Sequence, residues 1–136
     1  MREVAVERFV AAKPHEVAAA LEPAAVVEYE ASFGVRDVER RESDTIVTAG
    51  ARGLQMTLRF EQTENGLRYE QIENAGPLEL MWTELAWAPE DEGTRVTARS
   101  GVSLGLPLGS VTDRIAAWKR RGELKRALRN LANEVE

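Results

Sequence analysis

The chain has 136 residues, enough for one domain that buries roughly two-thirds of its unfolded surface. Its 43% hydrophobic and 30% charged residues are a globular composition, and the absence of cysteine excludes disulfides and thiolate metal sites. One histidine cannot furnish a multi-histidine zinc site, and a formal net charge of −5 argues against nucleic-acid binding by the molecule as a whole.

Residues 1–136 show no repeat or low-complexity linker and read as a single domain. No metal site and no cofactor are implied. The opening MREVAVERFV lacks the apolar run of a signal peptide, and no stretch is long enough to span a membrane. A cytoplasmic location is therefore expected. The charge is uneven: from Pro107 onward seven basic and four acidic side chains give +3, whereas the preceding 11 and 19 give −8.

Glu3 to Ala11, rich in Val and Phe, predicts a strand. Pro14 suits the first turn of a short helix, with Glu16 near its positive end and Val17, Ala20 and Leu21 as its apolar stripe. Pro23 interrupts it, and Ala24 to Tyr29 predict a second short helix. Phe33 to Val102 reads as a run of strands, and Val111 to Val135 as one long helix.

Turn chemistry aligns the middle strands. Asn65-Gly66 predicts a type I′ hairpin. Pairing Glu64 with Leu67 sets Gln62 opposite Tyr69 and Phe60 opposite Gln71. One face then receives Leu54, Met56, Leu58, Phe60, Leu67, Tyr69 and Gln71, because side chains alternate. A turn at Asn74–Pro77 would pair Tyr69 with Trp82, adding Leu78, Leu80, Trp82 and Glu84. After a loop at Pro89–Gly93, pairing Ala86 with Val96 adds Val96, Ala98, Ser100, Val102 and Leu104. Gln55, Thr57, Arg59, Arg68, Glu70, Glu79, Thr83, Thr97 and Arg99 fall on the solvent face. Met81, Leu85 and Trp87 fall there too. Either they form an apolar patch with Ile115 and Trp118, or the register after Pro77 is displaced by one, which would flip every side chain.

The long helix is the only element large enough to cover the inner face. Ser110 with Asp113 resembles a capping box. Val111, Ile115 and Trp118 form one apolar stripe, and Leu124, Leu128, Leu131 and Val135 another, rotated well over 90° at 100° per residue. Either the helix bends at Gly122, or its first half faces something other than the sheet.

Three segments carry a family resemblance: VERFVAAKPHEVAAAL at the start, WAPEDEGTRVT in the last hairpin, and LKRALRNLANEVE at the end. Their order and spacing resemble the START/Bet v 1-like (SRPBCC) superfamily, and within it the polyketide cyclase/dehydrase and coenzyme-Q-binding group. The resemblance implies an α+β helix-grip fold: a curved seven-stranded antiparallel sheet around a long C-terminal helix, with two short helices after the first strand. It also implies a hydrophobic cavity for a lipid, quinone or polyketide-like molecule. It implies no particular activity, because the superfamily mixes enzymes, carriers and binding modules.

The expected ligand-binding set is Met56, Leu58, Phe60, Tyr69, Gln71, Leu80, Trp82, Ser100 and Trp118. An apolar pocket with a few placed polar groups is the usual form of a small-molecule site. Tyr69, Gln71 and Glu84 are the candidate acid–base groups, with Glu73 beside them. The alternative is that the two glutamates end their strands in water. Trp82 and Tyr69 either stack on a flat ligand or fill the core. His15, at a helix start, reads as exposed. Lys119, Arg120, Arg121, Lys125 and Arg126, with Arg129, read as a solvated helix face or as a contact for an anionic membrane, an anionic ligand or an acidic partner. The leading functional reading is binding of a hydrophobic small molecule. The alternatives are a cyclase/dehydratase using the acid–base groups, and a protein-interaction module with no functional pocket.

Overall fold

The computed structural model describes residues 1–72, 80–104 and 109–136, with side chains throughout except at 109 and 110. The elements are β1 (Arg2–Val10), α1 (Pro14–Ala20), α2 (Pro23–Glu30), β2 (Gly34–Arg40), β3 (Thr45–Ala51), β4 (Leu54–Thr63), β5 (Gly66–Gln71), β6 (Leu80–Glu90), β7 (Gly93–Ser103) and α3 (Gly109–Val135). The strands form one antiparallel seven-stranded sheet in the order β1-β7-β6-β5-β4-β3-β2. Helix α3 lies against β1, β7 and α2. This is the helix-grip architecture expected from the sequence.

Pro14 and Pro23 each occupy the first turn of a helix, where a missing N–H goes unused. Pro23 thus starts α2 as well as ending α1. Helix α2 stops because Ala31 takes the left-handed conformation, φ 62°, with its N–H on the Val27 carbonyl. That stop makes Glu30 the last helical residue, facing α3.

The turns differ from expectation. Neither Asn65 nor Gly66 has positive φ; the pairing Thr63↔Gly66 leaves Glu64-Asn65 as the turn. Gly66 is needed for another reason: an added Cβ would lie 1.9 Å from the Leu85 carbonyl oxygen. Among the described residues, the two-residue turns with positive φ at both positions, the type I′ signature, are Arg52-Gly53 and Asp91-Glu92.

In the β4–β5 hairpin Phe60 faces Tyr69 and Leu58 faces Gln71. This register is two residues from the expected one, so the inner face is unchanged. Between β5 and β6 the shift is one: Tyr69 faces Thr83, and Glu70 faces Trp82. That flips β6. Met81, Thr83 and Leu85 point inward and are buried, correcting their assignment to solvent; Trp87 is half-buried against the same core. Leu80, Trp82 and Glu84 are placed outside instead. The pairing Ala86↔Thr97 is also one residue off, so the two errors cancel. Val96, Ala98, Ser100 and Val102 therefore face inward as expected. The turn at 74–77, with Glu73, Leu78 and Glu79, lies outside the described residues.

Helix α3 runs unbroken through Gly122. Its inward stripe is Asp113, Ala117, Arg120, Leu124, Ala127, Leu128, Leu131 and Ala132, all buried, while Val111, Ile115 and Trp118 are exposed. The phase jump therefore resolves without a break. The C-terminal half presents leucines to a filled core. The N-terminal half presents an acid, an alanine and an arginine. Asp113 Oδ1 accepts the Leu104 N–H at 3.0 Å, tying the end of β7 to the helix. The side chain of Ser110 lies outside the described residues.

Candidate ligand cavity

The filled half of the interior is centred on Phe60 and Tyr69, whose rings stack at 4.4 Å and 27°, and on Leu124 and Leu131. The other half is hollow. A cavity of about 250 Å³ lies between α2, the first half of α3 and the inner faces of β3, β4, β6 and β7. Ala49, Met56, Leu58, Met81, Val27 and Phe33 form most of its apolar wall. Its polar side carries Glu30, Ser32, Lys119, Arg120 and Glu123.

Arg120 organises that side. Its side chain is 4% exposed, and its guanidinium meets Glu30 and, at 3.3 Å, Glu123. Nε donates to Ser100 Oγ at 3.1 Å, and Nη2 donates to Thr83 Oγ1 at 2.7 Å and to the Tyr69 hydroxyl. All five guanidinium donors thus have partners, as a buried charge requires. The Tyr69 hydroxyl in turn donates to Glu30 Oε2. Ser32 donates to Glu123, and Arg126 donates from Nη2 to Ser32 Oγ at 3.1 Å and from Nε to the Glu30 carbonyl at 2.7 Å. Two hydroxyls complete the network: Thr83 and Ser100 lie 3.0 Å apart, and Ser100 donates to the Trp82 carbonyl at 2.7 Å.

The electrostatics follow from this packing. Burial works to lower the pKa of Arg120, but Glu30, the Tyr69 hydroxyl and Glu123 outweigh it and hold the pKa well above its ordinary value. Burial pushes the Tyr69 hydroxyl up, Arg120 opposes this, and Glu30 adds to the rise. Tyr69 is therefore a neutral hydrogen-bond donor across the ordinary pH range.

Of the residues expected from sequence to bind a ligand, Met56 and Leu58 line this cavity. Phe60 and Tyr69 are on the correct face but lie in the filled core behind it, and Ser100 is buried as a partner of Arg120. Gln71 is half-buried at the end of β5. Leu80 is 44% exposed and Trp118 is 78% exposed, so the expectation that they face the interior is corrected. Trp82 is on the outer face, covering Gly101, where an added Cβ would lie 2.3 Å from the indole nitrogen. Arg68 and Arg99 flank its ring at 5.1 and 5.6 Å. Glu84, also outside, pairs with Arg68 at 2.7 Å, so it faces water rather than the cavity as an acid–base group. His15 is exposed, as expected.

The basic stretch divides. Lys119, Arg121 and Lys125 are exposed, Arg126 docks the end of α2, and Arg120 is turned fully inward. The expectation of a uniformly solvated face is corrected at Arg120. Glu30 and Arg120 are the site residues that sequence reasoning missed as a pair. Continuing the stripe of Leu131, Leu128 and Leu124 backward by steps of three and four reaches Arg120 and Ala117, and that signal was available. Among the described residues, no group of acidic or histidine side chains is placed to hold a metal ion. No described helix is long and apolar enough to cross a membrane.

No protein-family model matches the chain, and no curated protein matches it. Solved structures do. A protein of Thermus thermophilus, TTHA0849, superposes with a TM-score of 0.76 at 22% identity, covering 98% of this chain and 97% of its own. A START superfamily protein of Mycobacterium smegmatis gives 0.71 at 14% identity, covering 98% and 99%. The di-domain ARO/CYC BexL of the BE-7585A biosynthetic pathway gives 0.71 at 16%, covering 98% of this chain and 49% of its own. At these identities the likeness establishes the fold: this chain has the START-like, polyketide-cyclase-like helix-grip fold.

Proposed function

We propose that this START-like chain binds a small, largely apolar molecule in the cavity between its sheet and α3. The observation that carries the reading is the hollow itself. The inner face is tightly filled around Phe60, Tyr69 and Leu131, yet next to them about 250 Å³ stays open behind Met56, Leu58 and Ala49. Cavities for drug-sized ligands are roughly 300–1,000 Å³. This one fits a one- or two-ring or short-chain molecule, so a quinone ring or an early polyketide-like fragment suits it better than a whole lipid.

The test is titration of 2-naphthol into the purified protein by isothermal calorimetry, beside native mass spectrometry for a co-purified apolar ligand. Saturable binding that is lost in Ala49→Leu, which fills the cavity from β3, supports the reading. Binding unchanged in that variant, with its fold intact by circular dichroism, refutes it.

A second reading, a cyclase or dehydratase, draws on the ARO/CYC neighbour. Its proton-transfer groups would be Glu30 and Glu123, which reach the cavity, in place of Glu84, Tyr69 and Gln71. Exposed Lys119, Arg121 and Lys125 are in addition proposed to contact anionic membranes, a role tested by salt-sensitive sedimentation with phosphatidylserine vesicles.

A further inference from the structure

The polar side of the cavity is unbalanced between donors and acceptors. Every donor of Arg120 is taken by the protein: Ser100 by Nε, Glu30 and Glu123 by Nη1, Tyr69 and Thr83 by Nη2. The Ser32 hydroxyl donates to Glu123 and the Tyr69 hydroxyl to Glu30, so neither offers its proton to a ligand. What is left facing the cavity is carboxylate. An ionised carboxylate has about four lone-pair sites. Among the described residues, the Glu123 carboxylate accepts two bonds, from Arg120 and Ser32, and the Glu30 carboxylate three, two from Arg120 and one from Tyr69, so Glu123 keeps more open acceptor sites. The side chains of both are largely buried, at 13% and 14% exposure for Glu30 and Glu123, so water reaches their remaining lone pairs poorly.

The formal charge points the same way. Arg120 sits between two carboxylates, and Arg126, bonded to Ser32 and to the Glu30 carbonyl, balances the second, so the cluster is formally neutral and holds no surplus positive charge for an anion. The remaining donor on the lining is Lys119, which is exposed at the rim, where solvent and salt weaken any ion pair it makes.

We propose that the ligand of this cavity carries a hydrogen-bond donor, a hydroxyl or a protonated amine, that enters against Glu30 and Glu123, and that it is not a carboxylate or phosphate. This rests on the binding reading above and specifies the ligand's polar end. The apolar wall opposite takes the ring or chain, and the donor fixes its orientation. A neutral donor meeting a buried carboxylate makes a charge-assisted bond, and an analogue lacking the donor leaves that carboxylate desolvated with no compensation.

The experiment is a calorimetric comparison at neutral pH and fixed salt of five probes of one shape: naphthalene, 2-methoxynaphthalene, 2-naphthol, 2-naphthylmethylammonium and 2-naphthoate. The expected result is that 2-naphthol or the ammonium binds about 10- to 100-fold tighter than 2-methoxynaphthalene, the worth of one bond to a charged group. The better of the two identifies which donor the site prefers. Glu123→Gln, checked for folding by circular dichroism, should narrow the preference while naphthalene binds as before. If 2-methoxynaphthalene matches both donors, or 2-naphthoate binds tightest, the donor inference is overturned while the cavity reading stands. If none of the five binds, the cavity reading fails and the inference falls with it.

Discussion

Replacing Arg120 by Met tests the central claim about the interior, that one buried cation organises the polar side of the cavity. The side chain is 4% exposed and faces Glu30, whose own side chain is 13% exposed. Met fills much of the same volume but leaves a buried carboxylate without its cation, and leaves Tyr69, Thr83 and Ser100 each short of a donor. Breaking a buried pair from one side costs about 3–5 kcal/mol. At ~4 °C per kcal/mol for a chain of this length, the midpoint should fall by roughly 12–20 °C. Urea unfolding should show a lower midpoint with an unchanged slope, since the surface exposed on unfolding is the same. The diagnostic step is the double variant. Adding Glu30→Gln removes the stranded charge, so Arg120→Met/Glu30→Gln should be about 1–2 kcal/mol more stable than Arg120→Met alone, a coupling in the range for contacting residues. A single-variant cost below about 1 kcal/mol would mean the guanidinium behaves as a surface group. Strict additivity in the double variant would mean that Glu30 and Arg120 do not act as a pair. Either result refutes the reasoning.

Three further outcomes follow from particular residues. The Tyr69 hydroxyl is raised by burial, against Arg120 and with Glu30, and Tyr29 is raised by burial together with Glu134, Glu22 and Glu28. A raised folded-state pKa contributes stability that is fully present below the unfolded value of about 10 and is lost as pH climbs above it, by up to ~1.4 kcal/mol per pH unit for buried Tyr69 and by less for Tyr29, which water screens. Spectrophotometric titration should therefore show both tyrosines ionising above the ordinary tyrosine value, buried Tyr69 together with unfolding, and Tyr69→Phe should flatten the alkaline loss of stability. Gly66→Ala puts a methyl 1.9 Å from the Leu85 carbonyl oxygen and must part β5 from β6. A loss of about 3 kcal/mol or more by chemical denaturation is expected, beyond the ordinary range for a surface change. Trp118→Ser removes the most exposed large apolar side chain among the described residues, at 78%, and should alter stability by no more than about 0.5 kcal/mol.

The fold was legible because its signals are distributed. Pro14 and Pro23 set the two short helices, and the alternation of Val96, Ala98, Ser100 and Val102 identifies the inner face of β7 without reference to any neighbour. The face of β6 was not legible in the same way. Leu80, Met81, Trp82 and Leu85 are apolar on both sides of the strand, because the outer face also buries apolar surface: Trp82 lies over Gly101 between two arginines. Alternation then carries no information, and the face depended on a turn inferred at 74–77. The type I′ turns were hidden for a related reason. Asp91 and Glu92 adopt positive φ without glycine, held by the pairing of β6 with β7 on either side.

Helix α3 shows why the site itself was hardest to read. Hydrophobicity marks the part of a helix that packs against a filled core, and Leu124, Leu128 and Leu131 were found that way. Where the helix instead borders the cavity, its lining positions are Ile115, Ala116, Lys119, Arg120 and Glu123, apolar and charged side chains together, while its buried positions there are Asp113, Ala117 and Arg120. A lining of that mixed kind leaves no clean apolar stripe to read. A sheet-covering helix that turns an arginine inward must find at least one buried carboxylate and several hydroxyls for it. Those partners come from α2, β5, β6 and β7, elements that sequence spacing does not bring together. Arg120 therefore joins the filled half of the molecule to the open half: Tyr69 and Phe60 stack on its core side, while Glu30 and Glu123 face the cavity.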